Sequence, residues 1–410
     1  MRVLFINGRC GSGSTGRICT NIADILKSQG HEAYIAFGHG ESDYSGAFKI
    51  AGKVNYYVHN VLSRLIDAEG LASIIATGRL LHFMNRVNPD IVHIHNIHGH
   101  FVNYPMLFHY IEKHGIRVVW TLHDCWAFTG RCAHFDLVKC NKWMTGCGGC
   151  EYLKSYPATY VDRSAQGWIR KRALFLSVAE NMTMVPVSHW LEGLLKQSYL
   201  GNVNSQVIYN GIDLSVFKPT PISGQMRALG LESSKYVLGV ASPWGAYKGL
   251  SDFYVIRKQL PSDIKIVLVG LTKEEIIDLP DGIIGVERTN SASDLAAFYS
   301  SAVALVNTTY TDTCPTVNME SLACGTPVIT YRTGGSPELV VEGVTGWVVE
   351  KGDKSAMVES ILKVINSTTC LSSNCTQYAI EHFDSKKCFI HYINSVSYTH
   401  LRAHETVLDL

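Results

Sequence analysis

Short apolar runs alternate along this chain with longer stretches that are apolar on one helical face. In the first half, Val3–Asn7, Glu32–Phe37, Asp90–His95, Ile116–Leu122, Met182–Val187 and Gln206–Tyr209 read as strands. In the second, Tyr236–Ala241, Lys265–Val269, Val303–Asn307, Pro327–Thr330 and Trp347–Val349 do so. Runs this continuously apolar suit strands buried on both faces. Helical segments separate them. One carries Ile18, Ile22, Ile25 and Leu26 on a single face; others fit Leu71–Arg86, Pro105–His114 and Trp190–Gln197. The second half adds Asp252–Leu260, Ala292–Tyr299, Val317–Ala323 and Lys354–Ile365. This alternation predicts an α/β protein with two mostly parallel sheets, each covered on both faces. The halves part near Lys218-Pro219-Thr220-Pro221, where two prolines exclude helix and central strand alike. The expected domains are 1–215 and 222–384, followed by a closing helix over 385–396. Residues 397–410 break the pattern, read as a frameshifted or vector-derived tail, and are given no role.

Composition narrows the class. The chain has 410 residues, 46% of them hydrophobic and 17% charged, with a net charge of +1. That charge is uneven: residues 1–205 hold 20 Lys and Arg against 14 Asp and Glu, residues 206–410 hold 16 against 21. A basic first half and an acidic second suit two domains with different partners, and ordinary scatter of surface charge produces the same split. No apolar run approaches the length of a membrane span, and the N-terminal run reads as a strand, not an export signal. A cytoplasmic protein is expected, and nucleic acid is not among its expected partners.

Several motifs admit more than one chemistry. Gly11-Ser12-Gly13-Ser14-Thr15-Gly16 follows a strand and opens a helix, as in dinucleotide sites. The acid that should close the second strand is missing: that strand ends Ala36-Phe37-Gly38-His39, and Glu41 lies beyond it. A nicotinamide site is therefore disfavoured against a phosphate-facing or purely structural turn. His93, His95, His98 and His100 cluster at a strand end, open to metal binding or, preferably, to hydrogen bonding. Cys132, Cys140, Cys147 and Cys150 end in C-x-x-C within an insertion over about 125–152, so a structural Zn²⁺ stapling this loop competes with free thiols. Trp168-Ile169-Arg170-Lys171-Arg172 fits an anionic membrane surface or a solvated helix face.

The most informative segment is Thr311–Glu338, TDTCPTVNMESLACGTPVITYRTGGSPE. Asp312 and Glu320 stand eight residues apart, with a helix start between them. Unpaired amides and the positive end of the helix dipole suit a phosphate there. The run resembles the nucleotide-sugar site of the retaining family 4 glycosyltransferases, whose signature is Glu, seven residues, Glu; Asp312 replaces the first Glu. Asn210-Gly211-Ile212-Asp213 resembles the family hinge, Lys248-Gly249 its phosphate-binding pair, and His123 its strand-end histidine. The family's arginine before the Lys-Gly pair is absent; Ser242 and Trp244 stand nearby, and Arg288 is a weak substitute.

The resemblance covers about residues 2–395 and implies a GT-B fold, two Rossmann-like lobes with parallel sheets facing a central cleft. It implies a donor, with UDP favoured, bound by Lys248, Gly249, Asn210, Thr316, Val317 and Asn318 and by the turn at Gly13 and Gly16. Asp312, Glu320 and His123 would be the catalytic set, and no metal would be needed for the chemistry. The pattern looks closest to bacterial transferases building capsule, exopolysaccharide or O-antigen. Their lipid-linked or glycan acceptors would place the enzyme peripherally at the inner face of the cell membrane. A nucleotide-sugar epimerase and a non-catalytic sugar-nucleotide binder are the alternatives.

Overall fold

In the computed structural model, which describes residues 1–367 and 371–393, the chain forms two compact units. One is Met1–Tyr209 with the described residues from Phe389; the other is Asn210–Cys388. The expected closing helix is helical over 385–393; its last residues and the tail 397–410 lie outside the described residues.

The first unit has strands β1 (Arg2–Asn7), β2 (Glu32–Phe37), β3 (Ala47–Lys49), β4 (Ile91–Ile94), β5 (Arg117–Leu122) and β6 (Met182–Pro186). They form one sheet in the order β3-β2-β1-β4-β5-β6, and its pairings are parallel. Helices α1 (Gly13–Ser28), α2 (Lys53–Ile66), α3 (Ile74–Val87), α4 (Tyr104–His114), α5 (Ser164–Leu176) and α6 (His189–Gln197) connect them. Chemistry at their ends is local. Asn103 caps α4 by accepting the Met106 N–H at 3.0 Å, with Pro105 in the first turn and Gly115 left-handed at the end.

The second unit has β7 (Lys235–Val240), β8 (Ile264–Val269), β9 (Ile283–Val286), β10 (Ala304–Asn307), β11 (Val328–Tyr331) and β12 (Gly346–Val349). Their order is β12-β11-β10-β7-β8-β9, again parallel. Its helices are α7 (Gly224–Ala228), α8 (Leu250–Gln259), α9 (Lys273–Ile277), α10 (Ala292–Ser301), α11 (Thr316–Ala323), α12 (Lys354–Ile365) and α13 (Leu371–His382). Val237, Ile266, Leu268, Val306, Ile329 and Phe253 are buried together between sheet and helices. Each such side chain removed from water contributes about 1.5–3 kcal/mol.

Two expectations need correction. Gln206–Tyr209 is not a strand: it runs beside β6 through the Gln206 and Ile208 amides, bonded to Met184 and Pro186 carbonyls at 3.1 Å each. Pro186 has no N–H to return, so a regular ladder stops there. The basic segment Trp168–Arg172 is split between surface and core: Ile169 and Arg172 are exposed, but two of its residues turn inward. Trp168 and Lys171 are buried, and the Lys171 ammonium donates to the Trp126 carbonyl at 2.7 Å and lies 3.4 Å from that indole's centre. Burial pulls its pKa down to about 7.

Candidate active site

The second sheet reverses its winding between β7 and β10. The chain passes from β7 to β8 and β9 on one side, then returns to lay β10 on the other side of β7. Loops leaving the carboxyl ends of such a pair part and open a crevice, where ligands bind in open parallel sheets. The loop after β7 brings Lys248 and the loop after β10 brings Asp312. Lys248 Nζ lies 2.7 Å from Asp312 Oδ2, with the two side chains 22% and 20% exposed. Asp312 Oδ1 accepts the Cys314 N–H at 3.2 Å and turns the chain toward α11. The pair thus joins residues 64 apart in sequence.

Backbone geometry holds these loops close. Gly249 has φ +74, and a β-carbon there would sit 2.3 Å from the Thr308 carbonyl oxygen. The Thr308 hydroxyl donates to the Lys248 carbonyl at 3.0 Å, tying the two loops together. Asn210 is buried and its Nδ2 donates to the Cys314 carbonyl at 3.4 Å, which anchors the loop behind Asp312.

Helix α11 follows Pro315, and no side chain caps it. The Asn318 amide bonds the Pro315 carbonyl at 3.1 Å, so of the three expected backbone donors this one is spent inside the turn. The Asn318 side chain is fully buried and accepts from Asn307 Nδ2 at 2.9 Å. Its part is to seat the helix start on β10, while Thr316 and Val317 lie in the first turn of the helix. Glu320, one turn on, is buried and accepts the Tyr299 hydroxyl at 3.0 Å. Tyr299 escaped sequence reasoning; the available signal was a large phenol in an otherwise apolar stretch of α10, which needs a buried partner.

Among the described residues, neither Ser242 nor Trp244 supplies the missing cation. Trp244 is buried, its indole N–H donating to the Val269 carbonyl at 2.9 Å. Arg288 is exposed after β9, two strands from β7, a separation of about 10 Å across the sheet.

The first sheet has the same reversal between β1 and β4. Gly13 opens α1 with φ +67. Gly16 is buried, and a β-carbon there would meet the Arg9 carbonyl oxygen at 3.2 Å, so it lets the glycine-rich turn lie close on the helix. His123 ends β5 and shares a 2.9 Å hydrogen bond with His95 Nδ1. His93 stacks on His95 at 4.4 Å and bonds the Thr121 hydroxyl at 2.8 Å. Burial lowers the pKa of His93 to about 3 and of His123 to about 4, and holds that of His95 well below the usual imidazole range. These rings are neutral at physiological pH and bond one another or the strand. His98 differs: burial opposes its charge, but Asp124 at 2.7 Å outweighs this and raises its pKa.

The four cysteines line one cavity of about 250 Å³. Burial raises the Cys132 thiol to about 12 and Cys147 to about 11. Their sulfurs do not converge as a ligand set. Among the described residues, the group whose ligand atoms all lie within 4.8 Å of one another is His59, Glu69 and His100. The geometry therefore does not support the zinc expectation. Nor does the histidine group suit a metal. His59 Nε2 accepts the Gly70 N–H at 3.0 Å and Nδ1 bonds the Ser73 hydroxyl at 2.6 Å.

Glu69 in that group is an anchor. One oxygen accepts the Gly99 amide at 2.6 Å and the other pairs with His100. Burial raises its pKa, but the His100 bond and charge win and bring it to about 2. A carboxyl depressed in the folded state stabilises above its unfolded pKa and loses that contribution as pH falls toward the folded value. Between about pH 5 and pH 3, the Tm of the unaltered protein should therefore fall more steeply than that of Glu69→Gln, measured by calorimetry. Parallel curves would contradict this.

Comparison with known proteins bears on the fold and the family. Residues 15–216 match the model of Glycosyltransferase Family 4, and residues 238–367 that of Glycosyl transferases group 1. The chain therefore carries two glycosyltransferase domains, a Family 4 domain and a group 1 domain, and is an enzyme of sugar transfer. A glycosyl transferase of Escherichia coli (strain K12) assigned to colanic acid biosynthesis, WcaC, is 23% identical over 89% of each chain. Sucrose-phosphate synthase from Thermosynechococcus elongatus superposes with a TM-score of 0.73 at 16% identity, over 98% of this chain and 99% of its own. Anabaena HepE, in complex with UDP-glucose, superposes with a TM-score of 0.67 at 15% identity, over 97% and 100%. These likenesses identify the fold as GT-B. No helix among the described residues is long and apolar enough to cross a membrane.

Proposed function

We propose that this chain transfers a sugar from a UDP-sugar, with retention of configuration, to a lipid-linked glycan acceptor in cell-surface polysaccharide synthesis. The observation that carries the reading is the meeting of Lys248 and Asp312 at the β7/β10 reversal, beside the uncapped start of α11. The UDP-glucose complex of HepE supports the donor class, and the colanic acid assignment of WcaC supports the product class.

In this reading Lys248 and the first-turn amides at Thr316 and Val317 hold the diphosphate, and Gly249, its own amide bonded to the Ala246 carbonyl at 3.3 Å, shapes the turn that presents the lysine. Glu320, oriented by Tyr299, accepts hydrogen bonds from the ribose. Asp312 receives donor-sugar hydroxyls and releases part of its hold on Lys248 as the diphosphate arrives. Asn210 and Asn318 keep the two loops in register. On the first unit, the Gly13–Gly16 turn would offer amides to phosphate or acceptor, and His123 a neutral imidazole to a sugar hydroxyl or phosphate oxygen. In the reaction the bond from the anomeric carbon to the phosphate oxygen breaks and one to the acceptor oxygen forms on the same face. The acceptor proton passes to the departing phosphate. Fixed positive groups stabilise that leaving group, which is electrostatic catalysis without a protein nucleophile.

Calorimetric titration with UDP-, GDP- and ADP-sugars tests the donor. The expected result is binding of a UDP-sugar, with consumption that accelerates when a lipid-linked acceptor is added. Donor conversion to an epimeric sugar nucleotide at a rate indifferent to acceptor would overturn the transferase reading.

A further inference from the structure

The loops that carry Lys248 and Asp312 are joined by more than the contact between those two side chains. Tyr310, two residues before Asp312, makes the link. Its backbone amide donates to the carbonyl of Tyr247, the residue before Lys248, at 2.7 Å. Its phenol donates to Asp252 Oδ2, in the first turn of α8, at 2.8 Å. One residue thus grips the Lys248 turn from both ends, at positions 247 and 252.

Asp252 is 4% exposed, and a carboxylate is costly to bury unless its oxygens are occupied. Here they are. Oδ2 accepts a second phenol, from Tyr331 at the end of β11, also at 2.8 Å, and Oδ1 faces the Lys354 ammonium at 3.6 Å. The rings of Tyr310 and Tyr331 meet edge to face with their centres 5.7 Å apart. Burial first, then the bond to Asp252, raises the Tyr310 phenol to about 12, so it keeps its proton and donates. Apolar side chains of the same shape would fill this space without fixing a direction. A network whose hydrogen bonds are all made admits one arrangement of its members. What this one arranges is the lysine turn, because the Asp312 loop has further anchors of its own. The Thr333 hydroxyl donates to the Thr309 carbonyl at 2.8 Å, and the Gly335 amide to the Asp312 carbonyl at 3.2 Å.

We propose that Tyr310 and Asp252 are positioning residues for the transfer, which hold the Lys248 turn so that its ammonium meets the donor diphosphate. This rests on the functional reading above, in which Lys248 is the cation at that diphosphate.

Calorimetric titration of the whole protein with UDP, GDP and ADP, with Tm measured on the same samples, tests it. UDP should bind the unaltered protein. Tyr310→Phe keeps the ring and should weaken that binding about 5-fold or more. In a Lys248→Ala background the same substitution should cost less than about 2-fold, because the ammonium it sets is gone. Asp252→Ala should weaken binding at least as much as Tyr310→Phe, and combining the two should add little, since the phenol has already lost its acceptor. Tyr236→Phe is the control. It removes another buried phenol, bonded to the Phe298 carbonyl at 2.7 Å near the start of β7, the opposite end of the sheet from these loops. It should lower Tm and leave binding unchanged.

Unchanged binding in Tyr310→Phe overturns the proposal. So does an equal fold loss with and without Lys248, which marks a general loosening of the unit. If Asp252→Ala does not fold, the cycle of Tyr310→Phe with Lys248→Ala decides alone. Failure of all three nucleotides to bind the unaltered protein overturns the functional reading and this inference with it; binding indifferent to Tyr310 overturns this inference alone.

Discussion

Lys248→Ala is expected to lower kcat/KM for the sugar nucleotide by about 10³-fold, the upper range for losing one preorganised charge at a leaving group. Two effects add. The cation that meets the diphosphate is gone, and Asp312, normally held 2.7 Å from it, is left as an uncompensated carboxylate beside the incoming phosphates. The second effect gives a sharper check than the size of the loss. In Lys248→Ala/Asp312→Asn the repulsion is removed, so the double variant should lose much less than the product of the two single losses. Steady-state kinetics on the four proteins measures this. Multiplicative losses would mean that the two side chains act on different parts of the donor, and an unchanged rate in Lys248→Ala would remove the lysine from the site.

Gly334→Ala should have the largest effect on structure. Gly334 has φ +52, and a β-carbon built there would lie 1.7 Å from the Asp312 carbonyl oxygen. The left-handed conformation alone costs about 1–2 kcal/mol for a residue with a side chain. The overlap must be relieved by moving a backbone, and the backbone in contact is that of Asp312. A destabilisation of about 3 kcal/mol or more, with loss of UDP-sugar binding, is expected. Gly193→Ala is the comparison: it sits within α6 with nothing within 4 Å of the added atom. That substitution should stabilise by about 0.5–1 kcal/mol through helix propensity. Chemical denaturation measures both, and equal effects would show that the close approach at Gly334 is relieved elsewhere.

The α/β class and most elements were legible because their signals are local. Apolar runs mark the strands, and periodic apolar faces mark helices such as α1 and α12. Asn103, Pro105 and Gly115 bound α4 by chemistry within a few residues. The elements that escaped notice are those whose pattern misleads. Helix α2 has apolar residues at helical spacing, but its inward face is polar, so periodicity alone places the wrong side inside. Strand β3 has three residues, too short for any period to show, and in β9 Gly285 interrupts the apolar run. Lys171 read as a surface charge because nothing near it in the chain indicates that α5 turns it toward the Trp126 and Thr129 carbonyls.

The chain by itself determined where the chemistry-bearing residues fall within their own segments. Lys248 precedes a glycine after a strand, and Asp312 and Glu320 bracket a helix start. Short-range sterics and hydrogen bonding set such features, and they survive without the rest of the fold. Only the tertiary structure decided what each side chain meets. It set Lys248 against Asp312, put Tyr299 behind Glu320, committed the Asn318 amide to Pro315, kept four cysteine sulfurs from meeting as ligands, and turned the apolar face of α2 outward. Those outcomes depend on which faces pack and which strands become neighbours through long crossovers, and no window of sequence carries that information.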